Sequence, residues 1–400
     1  MLKIPIVLAS DKNCVSQMYT TILSALSNKN KDSFYDIYCL IPNKFSKRII
    51  NIFKKLTYKY KNVNINFVTM KNAFANLEMQ ISHITSPTYY RLKIAEILPQ
   101  YDKAIYLDID AIVLKDLTKL YQTDLGENYI GGVHSAGYVI EESKLKEYYN
   151  SIGMPDMQHY INAGVILYNL KQIRKENITP KFLTLAENKY KFMDQDIINL
   201  VCYGKIKHLD FQYNVMTPYK QRFLDIPELC QQVYDFYGED NFKRAIANPT
   251  IVHYASDIKP WNNRNVWLGK YWLKYAKKTP IKIKSLPTME STFLQQVEKC
   301  KFKKTVFWGA SLFLKDLILS KKLKKHKILG IVDNDSSKWG ERIGCFQIYS
   351  PRDLKELKPE IVIFAVKNYH MSIYPQVHDY MNKNFPKIKL QQNPFDNNRR

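Results

Sequence analysis

Apolar runs closed by turn residues alternate with stretches of helical spacing from the start of the chain. Residues 4–9 form an unbroken apolar run, as in a strand covered on both faces, and Ser10-Asp11-Lys12-Asn13 turns out of it. Residues 16–27 place Met18, Ile22, Leu23, Ala25 and Leu26 at helical spacing. Residues 35–41 predict a second strand, 44–60 a lysine-rich amphipathic helix and 63–68 a third strand. This β-α-β-α-β order is the pattern of a parallel sheet with helices on its faces. Residues 88–98 predict a helix running up to Pro99, and 104–114 a strand that carries Asp108 and Asp110. Strands follow at 129–133, 160–170, 207–210 and 250–254. Helices are predicted at 182–189 and at 192–200, where the acids of the first turn suit the helix dipole.

The pattern changes after residue 265. Residues 267–284 interleave Trp267, Tyr271, Trp272 and Tyr275 with lysines, and a linker spans 286–291. An α/β rhythm then restarts: strands at 305–308, 328–332 and 361–366, helices at 312–320 and 374–384. The predicted fold class is therefore α/β, in three parts. Residues 1–265 form a Rossmann-like domain, 266–291 a basic-aromatic segment and linker, and 292–400 a smaller Rossmann-like α/β domain. The second domain lacks a dinucleotide fingerprint, because Ser311 and Leu314 stand where glycines would. Its Asp333-Asn334-Asp335 reads as a turn.

Composition narrows the classes. With 46% hydrophobic residues, 13 Gly and 17 Pro in 400 residues, the chain is globular. A net charge of +23 predicts attraction to nucleic acid, acidic lipid or a phosphorylated substrate. The six cysteines show no CxxC and no metal-ligand spacing, which points to a reduced, cytoplasmic compartment. The N-terminal apolar run is too short for a signal h-region, and no run of about 18 apolar residues exists to span a membrane.

Asp108 and Asp110 carry the clearest chemistry. In an extended segment, residues i and i+2 point to one side, so both carboxylates would face one point. Such a pair repels unless a cation sits between, and hard oxygen ligands suit Mg²⁺ or Mn²⁺. In open α/β sheets the ligand site lies at the carboxyl ends of the strands, where these residues are predicted.

Six motifs in order extend this picture: Ala9-Ser10-Asp11-x-Asn13, Arg91 in Tyr-Tyr-Arg-Leu, Leu107-Asp108-Ile109-Asp110, Asn162-Ala163-Gly164-Val165, Asp194-Gln195-Asp196-Ile197-Ile198-Asn199, and His253-Tyr254 with Lys259-Pro260-Trp261. Together they resemble the family-8 glycosyltransferases, the bacterial lipooligosaccharide galactosyl- and glucosyltransferases and glycogenin, over roughly residues 1–265. The resemblance implies a GT-A-type nucleotide-sugar fold, a UDP-sugar donor, Mn²⁺ or Mg²⁺, and retention at the anomeric carbon. It implies metal ligation by Asp108, Asp110 and His253, with Ile109 between the acids in the donor site. Lys259 would bind the diphosphate, and Ala9, Asp11 and Asn13 the uridine side. Arg91 would contact donor sugar or phosphate, and Asn162 would open a strand whose small neighbours let the sugar approach the backbone. Asp194 and Gln195 would bond sugar hydroxyls. Gln195 would lie near the reacting face, and Asp194 is the candidate nucleophile should the reaction be a double displacement. Cys14 departs from the family, which commonly has a uracil-stacking Tyr there.

The expected activity is transfer of galactose or glucose to a surface glycan such as lipooligosaccharide or capsule. The acceptor would be lipid-linked and the enzyme peripheral to the inner membrane, with 267–284 resting on anionic lipid. The same segment also reads as a linker helix whose aromatics pack on the first domain. Acceptor contacts are expected on loops 135–158 and 219–248. The C-terminal domain would dimerise the chain or dock a partner enzyme. Two rival readings are a family member that has lost transfer and acts as a sugar-nucleotide-binding or assembly subunit, and a nucleic-acid-binding protein. The second lacks any zinc spacing, helix-turn-helix or RNA-binding aromatic signature, and no specific nucleic acid is expected.

Overall fold

The computed structural model describes residues 1–71, 73–74, 86–140, 142–256, 258–263, 265–283, 289–320, 322–323, 326–366 and 370–391. The chain divides into two compact units, Met1–Leu286 and Pro287–Arg400.

In the first unit the strands are β1 (Leu2–Ala9), β2 (Ser33–Ile41), β3 (Val63–Thr69), β4 (Lys103–Leu107), β5 (Ala111–Val113), β6 (Ile130–His134), β7 (Ile161–Asn169), β8 (Ile206–His208), β9 (Val215–Met216) and β10 (Ile251–His253). Among the described residues they form a seven-stranded sheet of order β3-β2-β1-β4-β7-β6-β8 and a small sheet of order β5-β10-β9. β3, β2, β1 and β4 run parallel, while β7 is antiparallel to both β4 and β6. The apolar run of β1 is explained by its central place, with Ile4 to Leu8 nearly all within the core. The helix Val15–Ser27 is buried along almost its whole length. The helix Lys47–Lys59 buries only Phe53 and Leu56, and Ser46 caps it by accepting from the Ile49 amide.

Four expectations need correction. Residues 104–114 are not one strand. β4 ends at Leu107, Asp108-Ile109-Asp110 turns, and β5 enters the other sheet. The turn closes with the Ala111 amide donating to the Asp108 carbonyl at 3.1 Å. Residues 88–98 are a 3₁₀ helix, Ser86–Lys93, with one short α turn, Ile94–Ile97. Tyr89, Tyr90, Arg91 and Leu92 are buried in succession, so the segment has no solvent face to make it amphipathic. The stretches expected as acceptor loops are largely helical: Ala136–Ile140 and Glu142–Ser151 in one, Pro227–Tyr237 and Glu239–Ala247 in the other. Tyr219, Phe223 and Phe242 of the second stretch join Phe211 in a core of their own. Finally, Trp272 and Tyr275 of the helix Gly269–Ala276 lie in the main core, 3% and 1% exposed, which takes them off any lipid-facing surface. Lys270, Lys274, Lys277 and Lys278 stay exposed on the opposite side. Among the described residues no helix is long and apolar enough to cross a membrane.

The second unit has strands β11 (Thr305–Trp308), β12 (Ile328–Val332), β13 (Arg342–Ile343), β14 (Phe346–Tyr349), β15 (Ile361–Phe364) and β16 (Lys389–Leu390) in the order β13-β14-β12-β11-β15-β16. All are parallel to their neighbours except β13. Asp333 ends β12 as a turn residue: its carboxylate accepts from the amides of Ala310 and Asp335.

Candidate active site

The break after β4 builds the site. Asp108 stands at the end of a strand of the large sheet, and Asp110 directly precedes β5 of the small one. β10 is registered so that His253 faces Ala111, and the Tyr254 amide donates to the Asp110 carbonyl at 3.1 Å. His253 thereby meets both carboxylates: its Nε2 is 3.2 Å from Asp110 Oδ1 and 3.8 Å from Asp108 Oδ2. The two acids do face one point, but a turn and a second sheet bring this about, not the alternation of one strand.

The other oxygen of each carboxylate is engaged. Asp108 Oδ1 accepts from Arg91 Nη2 at 2.7 Å and from the Tyr106 hydroxyl at 2.9 Å. Asp110 Oδ2 is ion-paired with Lys259, whose Nζ also donates to the Tyr254 carbonyl at 2.7 Å. Burial disfavours the Asp110 charge, but Lys259 and His253 outweigh it and hold this carboxyl far below the usual range.

A relay of amides fixes the histidine. The Gly164 backbone N–H can only donate, so the Asn162 atom it meets at 3.0 Å is the oxygen. Asn214 faces that oxygen at 2.9 Å and must present its NH₂. Its oxygen then faces His253 Nδ1 at 3.0 Å, which places the ring proton on Nδ1 and the lone pair on Nε2. Asp108 Oδ2, Asp110 Oδ1 and His253 Nε2 thus converge within 4.8 Å of one another. Asp110 Oδ1 is buried without a hydrogen-bond partner. An orphaned carboxylate oxygen facing an imidazole lone pair is a donor set that fits a divalent cation.

Gly164 is needed for a different reason from the one its sequence suggests. A Cβ there would overlap the His253 ring, so its space is taken by that ring. Gly164→Ala is expected to push the ring off its ligand position and to destabilise the first unit by about 1–3 kcal/mol. Calorimetric melting with and without Mn²⁺ checks both effects. Asn214→Ala frees the ring and its tautomer, and should weaken metal binding about 10–100-fold with little change in melting temperature. Isothermal titration with Mn²⁺ measures it.

Arg91 is buried, and all three of its nitrogens bond to protein. Nη2 binds Asp108, Nε lies 2.9 Å from Asp194 Oδ2, and Nη1 donates to the Ala163 carbonyl at 2.5 Å. The guanidinium also lies 4.2 Å above the Tyr106 ring. Asp194 takes a further bond from the Thr88 hydroxyl at 2.6 Å. Burial pushes its carboxyl up to about 6 against the pull of Arg91.

Asp194 and Gln195 open the helix Asp194–Val201 behind Met193, whose φ of 50° is unusual for a side chain with a Cβ. Such backbone is kept where packing overdetermines it, and here it aims both side chains inward. Gln195 Oε1 accepts from Asn162 Nδ2 and the Ala163 amide, both at 3.1 Å, and its NH₂ donates to the hydroxyls of Tyr138 and Tyr160. Asp196 accepts from Tyr148, Tyr160 and the Phe192 amide, so it braces the helix start.

Ala9 ends β1, buried, and Asp11 accepts from the amides of Asn13 and Cys14. Asn13 is exposed. Cys14 lies within the field of Asp110 and Lys259, and burial, then Asp11 and Asp110, push its thiol up to about 12, so it is neutral. The Ile109 carbonyl accepts from Thr21 at 2.8 Å. The structure therefore gathers Arg91, Asp108, Asp110, Asn162, Asp194, Gln195, His253 and Lys259 into one bonded network. Sequence reasoning missed Thr88, Tyr106, Tyr138, Tyr160 and Asn214, which join it through the fold.

A parallel-led mixed sheet with a carboxylate–imidazole cradle and a lysine at the strand ends resembles the GT-A class of glycosyltransferases. The chain belongs to glycosyltransferase family 8: the model described as "Glycosyl transferase family 8" matches residues 5–265, and one described as "C2185-like, N-terminal" matches 301–388. It is 30% identical over 283 residues to "Glycosyltransferase GlyA" of Streptococcus pneumoniae, covering 68% of this chain and 35% of that one. It is 24% identical over 275 residues to "Lipopolysaccharide 1,2-glucosyltransferase" of Escherichia coli, covering 66% of this chain and 73% of that one. The structure resembles that of the galactosyltransferase LgtC in complex with donor and acceptor sugar analogs, with a TM-score of 0.55 and 26% identity over 70% of this chain and 97% of that one. The chain spans about a third of GlyA, whose remaining length has no counterpart in the match.

Proposed function

We propose that this glycosyltransferase moves galactose or glucose from a UDP-sugar to a surface glycan with retention at the anomeric carbon, using Mn²⁺ or Mg²⁺ held by Asp108, Asp110 and His253. The observation that carries this reading is the convergence of the orphaned Asp110 oxygen, the Asp108 oxygen and the His253 lone pair beside Lys259. The names of the similar proteins support the glycan class: one is a lipopolysaccharide glucosyltransferase, another a galactosyltransferase solved with sugar analogs.

When bound, the divalent ion would supply charge stabilisation to a departing diphosphate without a proton. The residues of the chain do the rest. Lys259, a compact point charge already held by Asp110 and the Tyr254 carbonyl, offers its ammonium to the diphosphate. Arg91 locks Asp108 and Asp194 into fixed orientations, so the donor meets a site that needs no rearrangement. Gln195 is clamped by four partners and is a poor nucleophile, which favours a front-side displacement in which the departing diphosphate oxygen takes the acceptor proton. Asp194 is paired with Arg91 and Thr88, which also disfavours it as a nucleophile.

A donor panel tests this reading. UDP-glucose, UDP-galactose, their N-acetyl forms and GDP-mannose are each incubated with Mn²⁺ or EDTA, and free nucleotide is measured. Slow release of UDP from one UDP-hexose, abolished by EDTA, is expected. Release that ignores EDTA would remove the metal from the reading, and no binding or release of any UDP-sugar would overturn the donor.

A further inference from the structure

A second group of histidines stands outside this network. His134 ends β6 and His208 ends β8, and the register of these parallel neighbours sets His208 beside Gly132. Strand residues two apart share a face, so the rings of His134 and His208 leave the sheet on the same side. His159 stands in the turn before β7, whose Ile161 is registered to His134. The ring centres of His134 and His208 are 3.3 Å apart, and the His159 ring lies parallel to that of His208 at 5.3 Å. One nitrogen from each ring lies within 4.8 Å of the other two.

Two of the three rings carry a nitrogen without a hydrogen-bond partner. Nε2 of His134 and Nε2 of His208 are both buried, and neither has a hydrogen-bond partner. Each of these rings also faces a backbone carbonyl, that of Gln158 or of His159, which draws the ring proton to the other nitrogen. Two buried Nε2 lone pairs are thereby left with nothing to bind them.

We propose that His134, His159 and His208 form a second metal site, built for a borderline transition ion such as Zn²⁺ and separate from the Asp108–Asp110–His253 set. Three imidazoles without a carboxylate disfavour Mg²⁺ and Mn²⁺ and suit zinc, with a fourth position left open. His159 is exposed, which gives the ion its way in. The ion would brace the edge of the sheet on which the sugar pocket rests. His159 directly precedes Tyr160, whose hydroxyl binds Gln195 and Asp196, and the His134 carbonyl accepts from Tyr237 at 2.7 Å.

The test uses the full chain without a histidine tag. Protein carrying Asp110→Asn, which disables the other ligand set, is stripped with chelator, equilibrated with Zn²⁺, dialysed and assayed for bound metal. It should retain about one zinc per chain, as three imidazoles and a water bind one ion. The same protein with His159→Ala, or with His159→Gln, should retain none while keeping its circular dichroism, because the ring is exposed. Equal zinc in both proteins overturns the proposal. Repeating the assay with Mn²⁺ should show no dependence on His159; a dependence there overturns the choice of ion.

Discussion

Asp110→Asn should lower the turnover of the UDP-sugar by about 10²–10³-fold. Asparagine keeps the volume of the side chain and can still accept from Lys259. It replaces a buried carboxylate oxygen that has no hydrogen-bond partner with a group of no net charge. Two effects then coincide: the proposed metal set loses one of its two carboxylates, and the Lys259 ion pair is reduced to a hydrogen bond to a neutral amide. Raising Mn²⁺ should recover little of the rate, because an amide is a poor substitute for a carboxylate as a hard ligand. Nucleotide release across a Mn²⁺ titration measures both. An Asp110→Asn enzyme with wild-type rate and wild-type Mn²⁺ dependence would remove this residue from the metal set.

Arg91→Met should have the largest effect on stability, about 3–5 kcal/mol. For a unit of this size that corresponds to a fall of about 10 °C in melting temperature. Methionine approximates the length of the side chain but leaves the facing oxygens of Asp108 and Asp194 without their cation. The effect should depend on pH. Asp194 in the folded enzyme already stands at about 6, above the ordinary value of 3.8. A group whose folded value is raised binds more protons folded than unfolded, so its stabilising contribution is complete at low pH and fades as pH rises. Without Arg91 the folded value climbs further, and the fading extends through neutrality. The deficit should therefore be smaller near pH 5 than near pH 8, as melting curves at the two values would show. Arg91→Lys should recover part of the loss, since one ammonium cannot reach every partner of the guanidinium.

What the sequence made legible was whatever a short segment encodes by itself. The apolar run of β1, the Asp-x-Asp and the His-Tyr…Lys-Pro-Trp stretch carry their chemistry within a few residues. Asn214 was not legible. It sits in an unremarkable Phe-Gln-Tyr-Asn, and its part in the site comes from hydrogen bonds to Asn162 and His253, both distant in sequence. Tyr138 and Tyr160 were hidden for the same reason. The helices Pro227–Tyr237 and Glu239–Ala247 were read as loop because they bury only Val233, Phe242 and Ala245, too few to give an apolar stripe in the sequence, in a cluster apart from the two large cores of the first unit. The turn at Asp108-Ile109-Asp110 was invisible because Ala111, Ile112 and Val113 continue the apolar pattern while changing sheets. Local composition records burial; it does not record which layer does the burying.

That change of sheet has a consequence for assembly. One member of the proposed ligand set belongs to the end of β4, and the other two are pinned by β5 and β10. A chain in which either sheet had formed alone would hold an incomplete chelate, so tight capture of the ion requires both conditions at once, as in a logical conjunction. Metal uptake followed during refolding would therefore clock the docking of the two sheets, not the appearance of either.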